Sequence, residues 1–317
     1  MLYYIEALSD EADERHLNSI ITGLVKYLDA YNGFLKRAIE IVQTHHQETS
    51  RPHDMAVLVL ARHVMAQVDG VSVLVRQGCG ECCGPLLRSA FEAFYGLKYI
   101  FQNESEVERR ALCYLVAHYR KLLAKVAELD KATPEGAKLR TELTGEKAAA
   151  LFDRDHPDLA EHVATIKANL ALSVVASIDH EWIRLKATNE YKRKDPHWYS
   201  LFDGPKSFSE LLKKKWLDQY AVYKILYEEW SRTVHAGDGL DRLLSDQRGF
   251  ALRPIRHPAE VQPATRMAAL VCELTTALLV KAYAPLRMAE FAIELGKQVG
   301  PMRQMIKTKK LVDVPWR

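Results

Sequence analysis

Two pairs of polar residues with helical spacing stand in stretches of this chain that are otherwise apolar or aromatic. Arg88 and Glu92 form the first pair, and Ser231 and His235 form the second. Residues four positions apart share one face of an α-helix. Ionisable groups in apolar surroundings are costly unless they meet partners. We therefore expect the two pairs to meet each other and to form one buried polar site.

The chemistry open to such a site is proton transfer beside a bound anion. His235 stands two residues before Gly237, which is well placed to end its helix, and the helix dipole favours a charged imidazole there. The imidazole could then act as a general acid or base. Glu92 would orient its ring, and Arg88 or Arg232 would hold an anionic group such as a phosphate.

Structural interpretations of the same residues stay open. An arginine and a glutamate at this spacing can form a simple intrahelical ion pair or a buried network that fixes helix packing. Ser231 and His235 can likewise do no more than join two helices. A serine nucleophile is disfavoured, because neither a strained elbow nor an oxyanion-hole motif accompanies Ser231.

Cysteines and histidines suggest a metal site only weakly. The turn at residues 79–84 contains Cys-x-x-Cys, but structural zinc requires a second ligand pair, and none is evident. His45, His46, His53 or His63 would have to complete it, and paired histidines at a helix end are more often solvated. We therefore predict no metal and no cofactor, and we interpret the turn as a small-residue contact between helices. Five cysteines without a regular framework predict reduced thiols.

Basic segments are the remaining candidates for binding. They comprise residues 192–194, residues 213–215 and the tail 297–317, which has six basic residues and one acidic residue. Such segments could follow a phosphate backbone, although solvated helix ends explain them nearly as well. A net charge of +3 is too small to identify a nucleic-acid binder. Aromatic residues for stacking and lysines for phosphates are the predicted substrate contacts: Tyr95, Tyr227, Trp198, Lys213 and Lys214.

The elements that must position these residues are helices. Apolar residues recur at helical spacing and show no sustained alternation, which predicts an all-α multi-helix bundle. The predicted helices end near 43, span 53–77, begin at Pro85, and span 104–130, 158–171, 175–191, 217–237 and 264–295, the last bent at Pro285. Residues 192–199 and 248–263 are predicted connections. We expect an N-terminal helical segment (1–52), a core bundle with both polar pairs (53–237), and a long C-terminal helix with a basic tail packed on the core (238–317).

The N-terminal residues indicate the compartment. They lack the basic and apolar regions of a secretory signal. No uninterrupted apolar run approaches the roughly 20 residues of a membrane span. We therefore expect a cytoplasmic protein that does not contact a membrane.

Three stretches of the chain resemble a known family, the bacterial proteins grouped as domain of unknown function 5677. Residues 84–92 resemble its small-residue turn followed by an Arg-Ser-x-x-Glu helix. Residues 198–200 and 207–212 resemble its tryptophan-containing lead into a short helix. Residues 223–235 resemble its Tyr-x-x-x-Tyr-x-x-x-Ser-x-x-x-His helix. The order and spacing of these motifs cover roughly residues 55–237.

The family's helical pattern is similar to that of the HEPN group, many of whose members are metal-independent RNases or toxins in defence systems. This resemblance implies an RNA or nucleotide ligand, a homodimer and a partner protein from a defence operon. The HEPN signature places four to six residues between a polar residue after the arginine and the histidine, whereas only two residues separate Arg232 from His235. A HEPN-type site would therefore have to use Arg88, from another helix, as its arginine, or it would be absent. The second hypothesis is a non-catalytic helical scaffold or partner-binding subunit whose polar cluster is structural.

Overall fold

The fold is an all-α multi-helix bundle, as the spacing of the apolar residues predicts. The computed structural model describes residues 11–130, 133–142, 159–214, 230, 243–246, 249–252 and 261–308. Its longer α-helices are α1 (Glu11–Thr49), α2 (Pro52–Arg76), α3 (Gly84–Ile100), α4 (Val107–Leu129), α5 (Pro134–Glu142), α6 (Leu159–Leu170), α7 (Ser173–Lys186), α9 (Val261–Tyr283) and α10 (Met288–Thr308). A short helix, α8 (Phe208–Leu212), lies between α7 and α9 along the chain.

One small hairpin departs from the helical pattern. Strands β1 (Leu243–Asp246) and β2 (Gly249–Leu252) pair antiparallel, with Leu243 opposite Leu252. Residues 248–263 are therefore not a loop throughout, because β2 lies within them. Each strand has four residues, too few for the sustained alternation on which a strand prediction depends.

The last long helix is broken where a bend was predicted. The helix expected over 264–295 is two helices, because α9 ends at Tyr283 and a 3-10 turn, Pro285–Arg287, precedes α10. Proline lacks the N–H of an internal helical hydrogen bond and clashes with the preceding turn. The helix is interrupted at Ala284, the residue before the proline, whose backbone has φ −145° and ψ 58° and so lies outside the helical region.

The predicted helix start at Pro85 is confirmed, and local residue types explain two further helix ends. Pro85 lies in the first turn of α3, where its missing N–H costs nothing. Gly78 follows α2 with φ 72°, a conformation that glycine adopts without strain. At α8, the N–H of Glu210 donates to Ser207 Oγ at 3.1 Å, and the Glu210 carboxylate accepts from the N–H of Lys206 at 2.8 Å.

The chain forms two units, residues 1–104 with 212–317, and residues 105–211. In the first unit, α1 packs on α2, α9 and α10, and α2 packs on α3 and α9. Fully buried leucines and valines fill its core, among them Leu24, Leu28, Leu35, Val64 and Leu97. This division differs from the three sequence segments, because helices from both ends of the chain share one core.

The second unit has its own core. Helix α4 packs on α5, α6 and α7, and their buried face includes Leu112, Val116, Ile178 and Trp182. Arg120 of α4 makes two 2.5 Å hydrogen bonds to the carboxylate of Asp179 on α7. This paired charge adds a polar contact to an otherwise apolar interface.

Candidate functional site

The Arg88–Glu92 pair forms on α3 as its spacing predicts. Arg88 Nε donates to Glu92 Oε1 at 3.1 Å. The two side chains are 26% and 41% exposed, so the pair lies at the surface of the bundle and not in its interior. Leu87 and Phe91 occupy the buried face of α3, and each polar residue stands one position beyond an apolar one. The pair is therefore half-buried, and the single buried site that it was expected to form with Ser231 and His235 stays a prediction, because those two residues lie outside the described residues.

A histidine from the neighbouring helix contacts the serine that follows Arg88 in the sequence. His63 Nε2 lies 2.7 Å from Ser89 Oγ, and Ser89 is the second residue of the Arg-Ser-x-x-Glu motif. Helices α2 and α3 approach closely, because a Cβ placed on Gly70 would lie 3.0 Å from Leu86 Cδ1. His63, Arg88, Ser89 and Glu92 are called the α2/α3 polar site below.

Trp230, which lies within residues 223–235 (called the second motif below), packs against α3. Its ring lies 5.7 Å from the ring of Phe91, the neighbour of Glu92 in sequence. A Cβ on Gly84 would lie 3.2 Å from Trp230 Cδ1, so only a small residue fits comfortably at this approach. The interpretation of residues 79–84 as a small-residue helix contact is thereby supported.

The rest of the second motif lies outside the described residues. These are the predicted catalytic residues Ser231, Arg232 and His235 and the predicted substrate contact Tyr227. Trp230 directly precedes Ser231 in the chain. The meeting of the two polar pairs therefore stays a prediction, anchored at one end by Trp230.

The other predicted substrate contacts take different environments. Tyr95 is buried with its ring against Phe94, and burial raises the pKa of its phenol to about 12. Trp198 belongs to the second unit, where it packs edge-on against Tyr114 at 5.6 Å. Of the two lysines, Lys213 is exposed and Lys214 is half-buried, directly after α8.

The thiols and histidines give no metal centre in the part of the chain that the structure describes. Within those ranges, no three His, Cys, Asp or Glu side chains are grouped so that they could hold a metal ion. The five cysteines are free thiols, and Cys82 is the exposed one. Burial raises the pKa of the Cys83 thiol to about 12, and the neighbouring Cys82 and Cys79 add to this. Cys83 is therefore protonated and unreactive near neutral pH.

Two helices of the first unit are long and apolar enough to cross a membrane. They are α2 and α9, and the test rests on length and composition alone. A third would be α6 with α7, if these helices, bent by 99° at a short break, are counted as one span. The sequence expectation of no span rests on uninterrupted apolar runs alone. An 18-residue stretch that contains up to two charged residues can also be apolar enough on average, and α2 and α9 each contain such a stretch.

Comparison with known proteins identifies a family. The model of a family of unknown function, DUF5677, matches residues 54–251, which is more than half of the chain. The match includes α2, α3 and the Trp230 segment, and so the whole α2/α3 polar site. No curated protein matches the chain, and no solved structure does.

Proposed function

We propose that this chain, which belongs to the family of unknown function DUF5677, binds RNA or a nucleotide through a phosphate at the α2/α3 polar site. The observation that carries the proposal is the exposure of the Arg88–Glu92 pair, which solvent reaches on both side chains. A purely structural network is expected to be closed and fully hydrogen-bonded, whereas a binding site has to be open to its ligand.

The residues of the site suit a phosphate. A guanidinium presents several N–H donors in a planar fork that matches phosphate oxygens. The carboxylate of Glu92 holds the Arg88 guanidinium in place, so less side-chain freedom is lost when a ligand binds. His63 and Ser89 add two polar groups at hydrogen-bond distance from each other on the adjoining surface.

A catalytic form of this function needs His235. The imidazole would remove the proton of a ribose 2′-hydroxyl, and the resulting oxygen would attack the adjacent phosphorus. The bond from phosphorus to the 5′-oxygen would break, and that oxygen would take up a proton. The products are a 2′,3′-cyclic phosphate and a 5′-hydroxyl. In this proposal Arg88 or Arg232 stabilises the charge on the phosphate, Glu92 orients the cluster, and no metal takes part.

The biological setting belongs to the same proposal. Resemblance to the HEPN group suggests a cytoplasmic RNase or toxin of a bacterial defence module, acting as a homodimer with an operon partner. Exposed Met55 and Val59 support a subunit contact, because Met55 lies two turns and Val59 one turn before His63 on the same face of α2. Val59→Asp is expected to convert a dimer to a monomer in analytical ultracentrifugation, and a wild-type monomer would contradict this part.

RNA binding by matched arginine variants tests the main proposal. We expect Arg88→Gln to weaken binding of a fluorescent single-stranded RNA by about tenfold, which corresponds to one charge-assisted phosphate contact of about 1.4 kcal/mol. The control is Arg184→Gln, because Arg184 also pairs with a glutamate within one helix but lies in the second unit. Fluorescence anisotropy at two salt concentrations also reports how steeply RNA affinity falls with salt. This dependence should be weaker in Arg88→Gln, because one phosphate contact is lost.

The scaffold hypothesis gives the opposite pattern. If the polar site only fixes helix packing, Arg88→Gln lowers the thermal stability, and neither variant changes RNA affinity. Absence of RNA and nucleotide binding by the folded wild-type chain would also refute the proposed function.

A further inference from the structure

A second polar assembly in the first unit lies outside the α2/α3 polar site. Asp54, in the first turn of α2, is fully buried. Its Oδ2 lies 3.0 Å from His45 Nδ1 on α1, and its Oδ1 accepts from the Tyr283 hydroxyl on α9 at 2.7 Å. Asp54 stands nine residues before His63, about 14 Å along the helix axis. One carboxylate thus joins three helices at a distance from the site described above.

The carboxylate fixes the hydrogen-bonding roles of its partners. Burial, together with the hydrogen bond to Asp54, raises the pKa of the Tyr283 phenol, so this hydroxyl remains a donor. A carboxylate on Nδ1 favours the tautomer that carries its proton on that nitrogen. In the neutral imidazole with this tautomer, Nε2 of His45 is a hydrogen-bond acceptor. The histidine is held further by Tyr283, whose ring lies edge-on at 5.0 Å.

His45 lines a cleft that two exposed glutamates also line. The cleft has a volume of about 430 Å³, within the range of small-molecule sites. Glu40 and Glu48 stand on α1 with His45, eight residues apart, which is about 12 Å along the helix axis. Arg37, Thr44, Tyr283 and Arg287 also line the cleft.

The two arginines of the cleft are already neutralised by carboxylates. Arg37 pairs with Glu294 at 2.6 Å, and Arg287 pairs with both oxygens of Glu290 at 3.0 and 3.2 Å. Both guanidinium groups also lie over the ring of Phe291. Glu40 and Glu48 therefore give the cleft its negative charge, and Nε2 of the neutral His45 imidazole adds an uncharged acceptor.

We propose that this cleft binds a small linear organic amine with two protonated nitrogens. One ammonium group pairs with Glu40 and the other with Glu48, while His45 Nε2 accepts a hydrogen bond from a donor on the ligand. Asp54 and Tyr283 position the imidazole for this contact. His45 and Tyr283 lie outside the range that matches the family, so this assignment does not depend on the proposed RNA binding.

Isothermal titration calorimetry of the full chain tests the proposal with a linear eight-carbon diamine. We expect saturable binding at millimolar concentration or below. Glu40→Gln and Glu48→Gln should each weaken it about fivefold, the effect of losing one exposed charge pair of about 1 kcal/mol. Octylamine, which has one charge, should bind more weakly by the same factor. Both glutamates are exposed, so the variants should fold normally.

A matched control and a direct reading of His45 complete the experiment. Glu128→Gln removes an exposed glutamate of the second unit and should leave diamine affinity unchanged. The imidazole nitrogens can be observed by nitrogen NMR, and the Nε2 resonance of His45 is the one that disappears in His45→Gln. In the wild type, this resonance should shift when diamine is added. Lack of saturable binding, equal affinity for octylamine, or an unmoved His45 resonance would overturn the proposal.

Discussion

The strength of the Arg88–Glu92 interaction separates the two interpretations of the α2/α3 polar site. We predict a coupling free energy of about 0.5 kcal/mol from a double-mutant cycle of Arg88→Gln and Glu92→Gln. The pair is intrahelical and partly exposed, so water screens the two charges and weakens their interaction. A closed network would leave an uncompensated buried charge and cost several times more, about 3 to 5 kcal/mol.

The Arg120–Asp179 pair is a comparator within the same chain. Arg120 is as exposed as Arg88, but Asp179 is only 12% exposed, and two 2.5 Å hydrogen bonds join side chains of different helices. We expect a coupling of about 2 kcal/mol for Arg120→Gln and Asp179→Asn, in the range of charge-assisted hydrogen bonds. The ratio of the two couplings does not depend on the absolute stability of the chain.

The assay is urea unfolding followed by hydrogen exchange and mass spectrometry, which reports the two units separately. Each unit then has its own unfolding free energy, so the two cycles do not rely on one transition for the whole chain. If the Arg88–Glu92 coupling equals or exceeds that of Arg120–Asp179, the site is a closed structural network and our reasoning is refuted.

Three further predictions concern stability. Tyr283→Phe should lower the unfolding free energy of the first unit by about 1.5 to 3 kcal/mol in the same assay, because a buried hydrogen bond to the Asp54 carboxylate is lost; a loss below 0.5 kcal/mol would contradict this. A double-mutant cycle of Phe91→Leu and Trp230→Leu should give about 1 kcal/mol of coupling, and zero coupling would separate the second motif from α3. Burial raises the pKa of Cys113 from 9.0 to about 12, so unfolding releases its proton at high pH and stability falls as the pH rises from 9 to 12. At pH 10 this thiol should account for about 1.4 kcal/mol of the loss, and Cys113→Ala should have a correspondingly shallower pH dependence.

Interactions along one helix could be predicted from the sequence. The Arg88–Glu92 hydrogen bond follows from four-residue spacing, and the bonds around Ser207 and Glu210 follow from the three-residue spacing of a capping box. The exposure of Arg88 could not be predicted so well. Apolar neighbours in sequence show that a helix is buried on one side, but a residue at the edge of that side remains open to solvent.

Interactions between helices depend on the packing of elements that are distant in sequence. His63 contacts Ser89 because α2 and α3 cross at one particular register, and no local pattern records that register. The contact of Tyr283 with Asp54 spans 229 positions. His45 was expected at a solvated helix end, yet α1 continues to Thr49 and turns this histidine toward a buried carboxylate. The signal that could have indicated this assembly is the histidine pair His45-His46 at the end of one helix, followed closely by Asp54 at the start of the next.

Cleavage of RNA without metal is the most direct test of the proposed catalytic function. Purified chain would be incubated with total RNA, with and without EDTA, as wild type, as Arg88→Gln and as His235→Ala. We predict cleavage by wild type that EDTA does not inhibit, products with 2′,3′-cyclic phosphate ends, and loss of cleavage in both variants with thermal stability nearly unchanged. Cleavage that persists in His235→Ala would contradict the assignment, as would a wild-type chain that leaves RNA intact while His235→Ala unfolds.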